Sequence, residues 1–580
     1  MKQLTQRQLK VLGLLMLLGL PAATGRAVEA RAPAAELVFL NGAVYTVDAA
    51  RSWASAVAVA GGRIAYVGTD DGARSFIGPA TRVVDLHGRM LLPGFQDSHM
   101  HPSGGLGLAK VWLYGVYDRD EVFRRIKAYA EAHPGKPWVL GGGWEQGAFK
   151  PSGIPSRHML DALVPDRPAF LSAMDGHTGW ANTRALQIAG ITKQTADPPN
   201  GRIGRDPATG ELDGVLYEAA QELVARRLPP ETPEQRLEGY RLTLKELRAH
   251  GITAIIDAGA GPDADAVFSA LARNGELTAR AVLCQSFDPQ RGDEEQVQEF
   301  LARRRQLPAG SLRATCIKLM LDGIIEQYTG ALLEPYVDRP DERGMLFIEP
   351  ARLQKLATRL EQEGFQVHIH TIGDRAVREA LDAFAVAARV NGPRDRRHHL
   401  AHVQLIRPDD IFRLRTLSVT ANMTPIWARG DDLVMAFDLP RLGPERARWL
   451  YPHKTMLALG ARIAWGTDWP VTTLSPLEGI ETALTRRYLG GVDPWGKPDQ
   501  SWEPEEIISL EQAIVAYTIA GVWLSFEEKE RGSIEVGKRA DLVVLEKNLF
   551  EISPLEIHAV GVDFTLLDGR VVYERATGAE

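Results

Sequence analysis

The string Asp97-Ser98-His99-Met100-His101 places two histidines two residues apart, directly after the apolar run Met90-Leu91-Leu92-Pro93-Gly94-Phe95. Side chains two apart on a strand share a face, so His99 and His101 can aim both imidazoles at one point. Neutral imidazole is a favoured ligand for zinc and its neighbours, and a metal with an open position turns water into a hydrolytic nucleophile. One His-x-His pair is weak by itself, because two core or surface histidines give the same spacing. Further polar residues mark other apolar runs. Lys318 sits within Ile317-Lys318-Leu319-Met320, ahead of Asp322-Gly323, and His370 closes Val367-His368-Ile369-His370. His402 stands in His399-Leu400-Ala401-His402-Val403, and Asp468 ends Ala464-Trp465-Gly466-Thr467-Asp468. Packing alone does not explain four imidazoles, a carboxylate and a lysine placed this way.

The elements that must position them alternate along the chain. Strand-like runs include Trp138–Leu140, Ala169–Leu171, Thr253–Ile256, Ala281–Leu283, Ile317–Met320, Gln366–His370, Val419–Ala421 and Arg462–Trp465. Helical spacing of apolar residues marks Pro233 to Ala249 and Pro350 to Glu363. Such alternation predicts an α/β fold with a parallel sheet closed into a (β/α)8 TIM-like barrel, which carries its active site at the C-terminal ends of the strands. The barrel is expected over 92–529, with an inserted region over about 111–228 rich in Pro and Gly punctuation. Residues 35–91 and 530–577 read as short strands around Gly turns, each too small for its own core. They are expected to pair into one small β-sandwich domain that the chain leaves and re-enters.

Bulk properties narrow the class. The chain has 580 residues, 45% hydrophobic and 24% charged, as expected of a globular enzyme. A net charge of -7 without a basic tract argues against nucleic acid as a partner. Residues 1–30 read as a signal peptide: Lys2, Arg7 and Lys10, then the apolar run Val11–Leu20, then small residues. That run is too short to span a bilayer. A secreted or periplasmic location follows, with no stable membrane anchor after signal removal. The only cysteines, Cys284 and Cys316, lie in separate apolar runs and are expected as buried thiols rather than a disulfide.

Taken in order, these motifs resemble the amidohydrolase superfamily of metal-dependent hydrolases, and more narrowly amidohydrolase family 3, the YtcJ-like group that includes N-substituted formamide deformylase. The resemblance runs from Pro93-Gly94-Phe95 and Asp97–His101 to Gly532-Ser533-Ile534-Glu535-Val536-Gly537-Lys538-Arg539-Ala540-Asp541-Leu542. It implies His99, His101, His370, His402 and Asp468 as metal ligands, with Asp468 also the proton acceptor. In two-metal relatives a lysine at the place of Lys318 is carboxylated and bridges the cations. The alternative is a plain lysine that binds substrate or pairs with Asp322, so one or two divalent metals per chain are expected. Zn leads, with Mn, Fe, Co or Ni allowed by the donor set.

His177, in Asp175-Gly176-His177-Thr178-Gly179-Trp180, is a candidate substrate-binding residue, as are Trp144, Glu145 and Glu218. His368 is expected to be structural, and His398 and His399 orienting or solvated. The loop Ile324–Gly330 departs from the small polar residues of many relatives. The expected activity is hydrolysis of a non-peptide carbon–nitrogen bond of amide type in a small molecule. A deaminase or cyclic-amide hydrolase is the first alternative, and a catalytically inert metal-binding sensor or regulator the second. Assembly stays open, with a homodimer allowed.

Overall fold

The computed structural model describes residues 34–576, apart from 151, 308, 309, 311 and 495. The leader expected over residues 1–30 lies outside the described residues.

Eight strands form the central sheet: β1 (Phe95–Met100), β2 (Ile252–Ala260), β3 (Arg280–Ser286), β4 (Leu312–Met320), β5 (Gln366–Thr371), β6 (His399–His402), β7 (Thr420–Met423) and β8 (Arg462–Trp465). They lie side by side in chain order, and every paired neighbour is parallel. Most of their residues are buried, β1 and β5 throughout, because a parallel sheet is covered on both faces. The two ends of the sheet meet. Asp468 N donates to His99 O at 2.7 Å, and Asn422 Nδ2 donates to Ser98 O at 2.6 Å. Gly466 permits this approach, since a Cβ there would collide with the backbone nitrogen of His99. The result is a nearly closed barrel.

Helices wrap it for local reasons. Helix α1 (Pro233–Ala249) begins with a capping box between Thr232 and Gln235 and a proline in its first turn, and it buries Tyr240, Leu244 and Leu247. Helix α2 (Pro350–Gln362) starts under the Glu349 cap and buries Leu353, Leu356, Ala357 and Leu360, one stripe at helical spacing.

Two further β layers stand apart. Strands 37–40, 56–60, 63–68 and 82–85 form one sheet. The other joins the chain ends: Leu542–Leu545 pairs antiparallel with Met90–Pro93, and Val562–Leu567 follows beside it. Phe39, Val57, Leu91, Val544 and Phe564 share the core of these two sheets. The apolar run before the first histidines is thus split. Met90–Pro93 belongs to the terminal sheet, Gly94 N donates to Asp541 O, and Phe95 opens the barrel.

Between β1 and β2, six strands within 111–218 make a third layer, with cores of their own around Trp144 and Trp180 and around Phe170 and Leu216. The runs at Trp138–Leu140 and Ala169–Leu171 supply strands there and not to the barrel.

The cysteine expectation is overturned. Cys284 on β3 and Cys316 on β4 face each other in register and are disulfide-bonded, with Cα atoms 4.2 Å apart. Two separate apolar runs do not disclose that they are adjacent strands in this register. Among the described residues no helix is long and apolar enough to cross a membrane.

Candidate active site

The first pair converges as strand geometry requires. His99 Nε2 and His101 Nε2 lie 3.2 and 3.1 Å from the same oxygen, Asp468 Oδ1. His99, His402 and Asp468 offer ligand atoms within 4.8 Å of one another. Asp468 follows β8 with φ 57°, and His402 ends β6 with φ 71°. Both occupy the left-handed region, where a residue with a Cβ is strained, and such strain gathers at functional sites. Asp97 braces the arrangement: its carboxylate accepts from Thr467 Oγ1 at 2.5 Å, Thr467 N at 3.0 Å and His99 N at 3.1 Å. That ties the His-x-His strand to the turn carrying Asp468.

These residues fit a divalent cation. His402 Nδ1 is buried without a hydrogen-bond partner, and an orphaned polar atom in such a place is costly unless something fills it. Burial, with Lys318 as the next contributor, pushes the His99 imidazole down to about 3. Burial also takes His370 and His402 well below the ordinary histidine range, so they are neutral at pH 7 and able to ligate. His370 Nδ1 faces Asp322 Oδ1 at 3.1 Å, a carboxylate–histidine pairing that sets ring orientation and leaves Nε2 free. Asp322 also accepts from the backbone of Ala331, Ile372 and Gly373. It is therefore engaged by His370 and not by Lys318, which removes the Lys318–Asp322 pairing.

Lys318 is buried at the cavity wall, and burial lowers its amine to about 7, with Asp468 opposing. His177 and Glu218 also line the cavity and bond to each other at 2.8 Å. Burial would lower His177, but the Glu218 carboxylate outweighs it and holds the imidazole up at about 9. Trp144 and Glu145 do not line this cavity. Trp144 is fully buried in the inserted layer, its Nε1 donating to Leu171 O at 2.9 Å, and Glu145 is buried near Tyr117 and Arg429. Their expected place beside substrate is corrected: the strand Val139–Trp144 ends inside that layer's core.

His398 and His399 are buried and neither is solvated. His398 Nε2 pairs with Glu361 at 3.0 Å. His399, His368, Cys284 and Cys316 form a second buried group whose potential ligand atoms lie within 4.8 Å of one another. His368 Nε2 sits 3.0 Å from His99 Nδ1, directly beneath the first centre.

The cavity above measures about 790 Å³ and takes in His99, His101, Lys318, His370, His402 and Asp468. The sequence reading missed Trp427, whose ring centroid is 5.2 Å from that of His402, along with Met174, Glu326 and Asp438 on its wall.

The comparisons with known proteins agree with this geometry. A profile of the amidohydrolase family matches residues 82–573. Protein LONG AFTER FAR-RED 3 of Arabidopsis thaliana is 32% identical over 551 residues, covering 93% of this chain and 92% of its own length. N-substituted formamide deformylase of Arthrobacter pascens is 29% identical, covering 93% and 98%. An uncharacterized metal-dependent hydrolase of Pyrococcus horikoshii shares the fold with a TM-score of 0.70 at 23% identity, over 89% of this chain and 99% of that one. With His99, His402 and Asp468 gathered at the end of an eight-stranded parallel barrel, the chain belongs to the amidohydrolase family and is a metal-dependent hydrolase of carbon–nitrogen bonds.

Proposed function

We propose that the enzyme hydrolyses the amide bond of a small N-acyl or N-formyl amine. The observation that carries this reading is the convergence of His99 Nε2 and His101 Nε2 on Asp468 Oδ1 at the floor of the 790 Å³ cavity. His99, His101, His402 and Asp468 would hold a divalent cation, with His370 beside them. Bound there, such a cation supplies Lewis acidity that makes water nucleophilic near neutral pH and polarises a carbonyl. Asp468, fixed by the Thr467–Asp97 bonds behind it, takes the proton of the attacking water and returns it to the leaving nitrogen. His177, kept charged by Glu218, donates to the substrate carbonyl oxygen and stabilises the oxyanion as it develops. The formamide deformylase relative acts, by its name, on N-substituted formamides, which supports an amide over a ring amine as substrate.

Zn is the first choice of metal for this nitrogen and carboxylate donor set. The buried Lys318 amine, with its lowered pKa, is suited to add CO2 and become an anionic ligand. Two metals per chain, with one carboxylated lysine by intact mass at mild pH, are expected. One metal and an unmodified Lys318 would leave hydrolysis standing and remove the bridge. The basic start and apolar run of the first 30 residues support export, checked by the N-terminus of protein recovered outside the cytoplasm. The deciding experiment is metal analysis paired with a screen of N-formyl and N-acyl amines. A metal-loaded enzyme inert towards all of them would overturn the amide reading.

A further inference from the structure

The wall of the cavity is acidic. Seven carboxylates and two lysines line it, and no arginine does among the described residues. Most of the acids are engaged. Asp468 belongs to the metal donors, and Glu218 bonds His177 and Thr329, each at 2.8 Å. Asp431 accepts from the backbone of Leu433 and Val434 and faces Arg429 at 3.4 Å. Asp175 accepts from Gln146 and the His177 backbone.

Glu222 is exposed to solvent, and two further carboxylates keep buried oxygens open. Asp438 is 1% exposed; its Oδ2 accepts from Gln404 Nε2 at 2.8 Å, while Oδ1 has no partner. Glu326 Oε2 is buried and equally unpartnered. The two come from separate elements that meet at the cavity: the short turn Ile325–Gln327 after β4, and the π-helical turn Val434–Asp438. Turns of the π type gather at functional sites because they re-aim a side chain. The cation nearest in charge is Arg441, but its guanidinium lies over the rings of Tyr328 and Phe437 at 4.4 and 4.9 Å. Its Nε and Nη1 make no hydrogen bond. Burial first, then neighbouring negative charge, raises Glu326 to about 7 and Asp438 well above the usual carboxylate range.

An acid pair held protonated by burial would release its proton to solvent as a cationic ligand group entered, and the carboxylate oxygens left open, Asp438 Oδ1 and Glu326 Oε2, would then be filled by charge-assisted hydrogen bonds. We propose that Glu326 and Asp438 form a subsite for a positively charged group of the substrate, an alkylammonium or a guanidinium. The preferred amides then carry a cation remote from the scissile carbon–nitrogen bond. This rests on the hydrolase reading for its substrate class, and on the cavity alone for its charge preference. The loop Ile324–Gly330 is the one that supplies Glu326.

The test uses the metal-loaded enzyme and two matched pairs of compounds. By calorimetry at pH 7, n-hexylammonium should bind about tenfold or more tighter than n-hexanol, the scale of one charge-assisted bond. Asp438→Asn with Glu326→Gln should erase that difference, and Asp438→Glu should keep it. In turnover, N-acetyl-1,4-diaminobutane should exceed its uncharged isostere N-pentylacetamide in kcat/KM by a similar ratio, carried by KM. Equal binding of the first pair by the wild-type enzyme overturns the subsite and leaves the hydrolase reading intact. A charge preference in binding that depends on Asp438, with neither amide cleaved, supports the subsite and breaks the amide reading instead. The wild-type comparison decides the matter even if the double variant fails to fold.

Discussion

Two layers of imidazoles sit one above the other inside the barrel, and they share strands. β5 contributes His368 to the lower and His370 to the upper; β4 contributes Cys316 and Lys318; β6 contributes His399 and His402. Residue types and burial are much alike, yet the layers differ in what their atoms lack. Below, His399 Nδ1 accepts from Asn422 Nδ2 at 3.1 Å, so its Nε2–H points at Cys316 Sγ, 3.7 Å away. If His99 keeps its Nε2 lone pair for a metal, its Nδ1–H must donate to His368 Nε2. The remaining His368 proton then lies on Nδ1, aimed at Cys284 Sγ at 3.8 Å. Both lower imidazoles thus present N–H groups to a disulfide, a hydrogen-bonded arrangement. Above, His402 Nδ1 is buried with no partner and the cavity opens over it. Chemistry follows the layer whose donor atoms are unfilled, and the filled layer orients it.

The sharpest way to break that contrast is Asp468→Asn. Turnover should fall by about three orders of magnitude, the scale of losing general-base catalysis at a preorganised site, while metal analysis still finds the cation. Turnover within a few-fold of wild type would end the upper layer's claim to the proton.

Next in size is the link between layers. His368→Phe removes the acceptor for His99 Nδ1–H and should weaken metal affinity by about 10- to 100-fold, as loss of a ligand's orienting partner does. His368→Gln, which retains an acceptor, should recover part of it, read by chelator competition. An unchanged affinity in His368→Phe would mean that the layers are independent.

The lower layer should matter to stability more than to catalysis. Replacing Cys284 and Cys316 together by Ala opens a 32-residue separation and should cost about 3 kcal/mol of unfolding free energy, seen as a lower Tm. The kcat should stay within about twofold of wild type, since neither sulfur reaches the cavity. A collapse of kcat with Tm unchanged would reverse the assignment.

The smallest effect lies just outside both layers, where Glu361 holds His398 before β6 begins. Burial would raise the Glu361 carboxyl, but bonds from His398, Arg396 and Asn391 outweigh it and hold it at about 2, against an ordinary value of 4.5. A folded-state pKa depressed in this way stabilises the protein above about 4.5, a benefit lost as pH falls towards 2. Glu361→Gln should therefore flatten the stability profile between those values, measured by urea midpoints across pH. An unchanged slope would assign the acid sensitivity elsewhere.

Much of the upper layer was legible in the sequence, because its members close, interrupt or follow apolar runs and the family resemblance implies their role. His99 and His101 are the clearest case, and α1 was readable from its Pro start and apolar spacing to the last residue. The lower layer was not. His368 reads as a spare histidine, and Cys284 and Cys316 as two unrelated thiols, because register between strands is set by how the whole sheet closes. Trp144 and Glu145 misled for a related reason: a Gly-rich run followed by an aromatic looks the same at a pocket and inside a separate core. Asp438 left no mark, since its place depends on one π-helical turn meeting a loop 112 residues earlier in the chain.

The sequence by itself determined the barrel, since alternating strands and helices are local patterns, and its motifs carried the family resemblance that implied the histidine and aspartate set. Only the tertiary structure decided which polar atoms are left without partners. That depends on which side chains meet across the barrel, and hydrogen-bond satisfaction is a property of those meetings, not of residue types. On that difference rest the metal-ready upper layer, the disulfide below it, and the open carboxylates of Glu326 and Asp438.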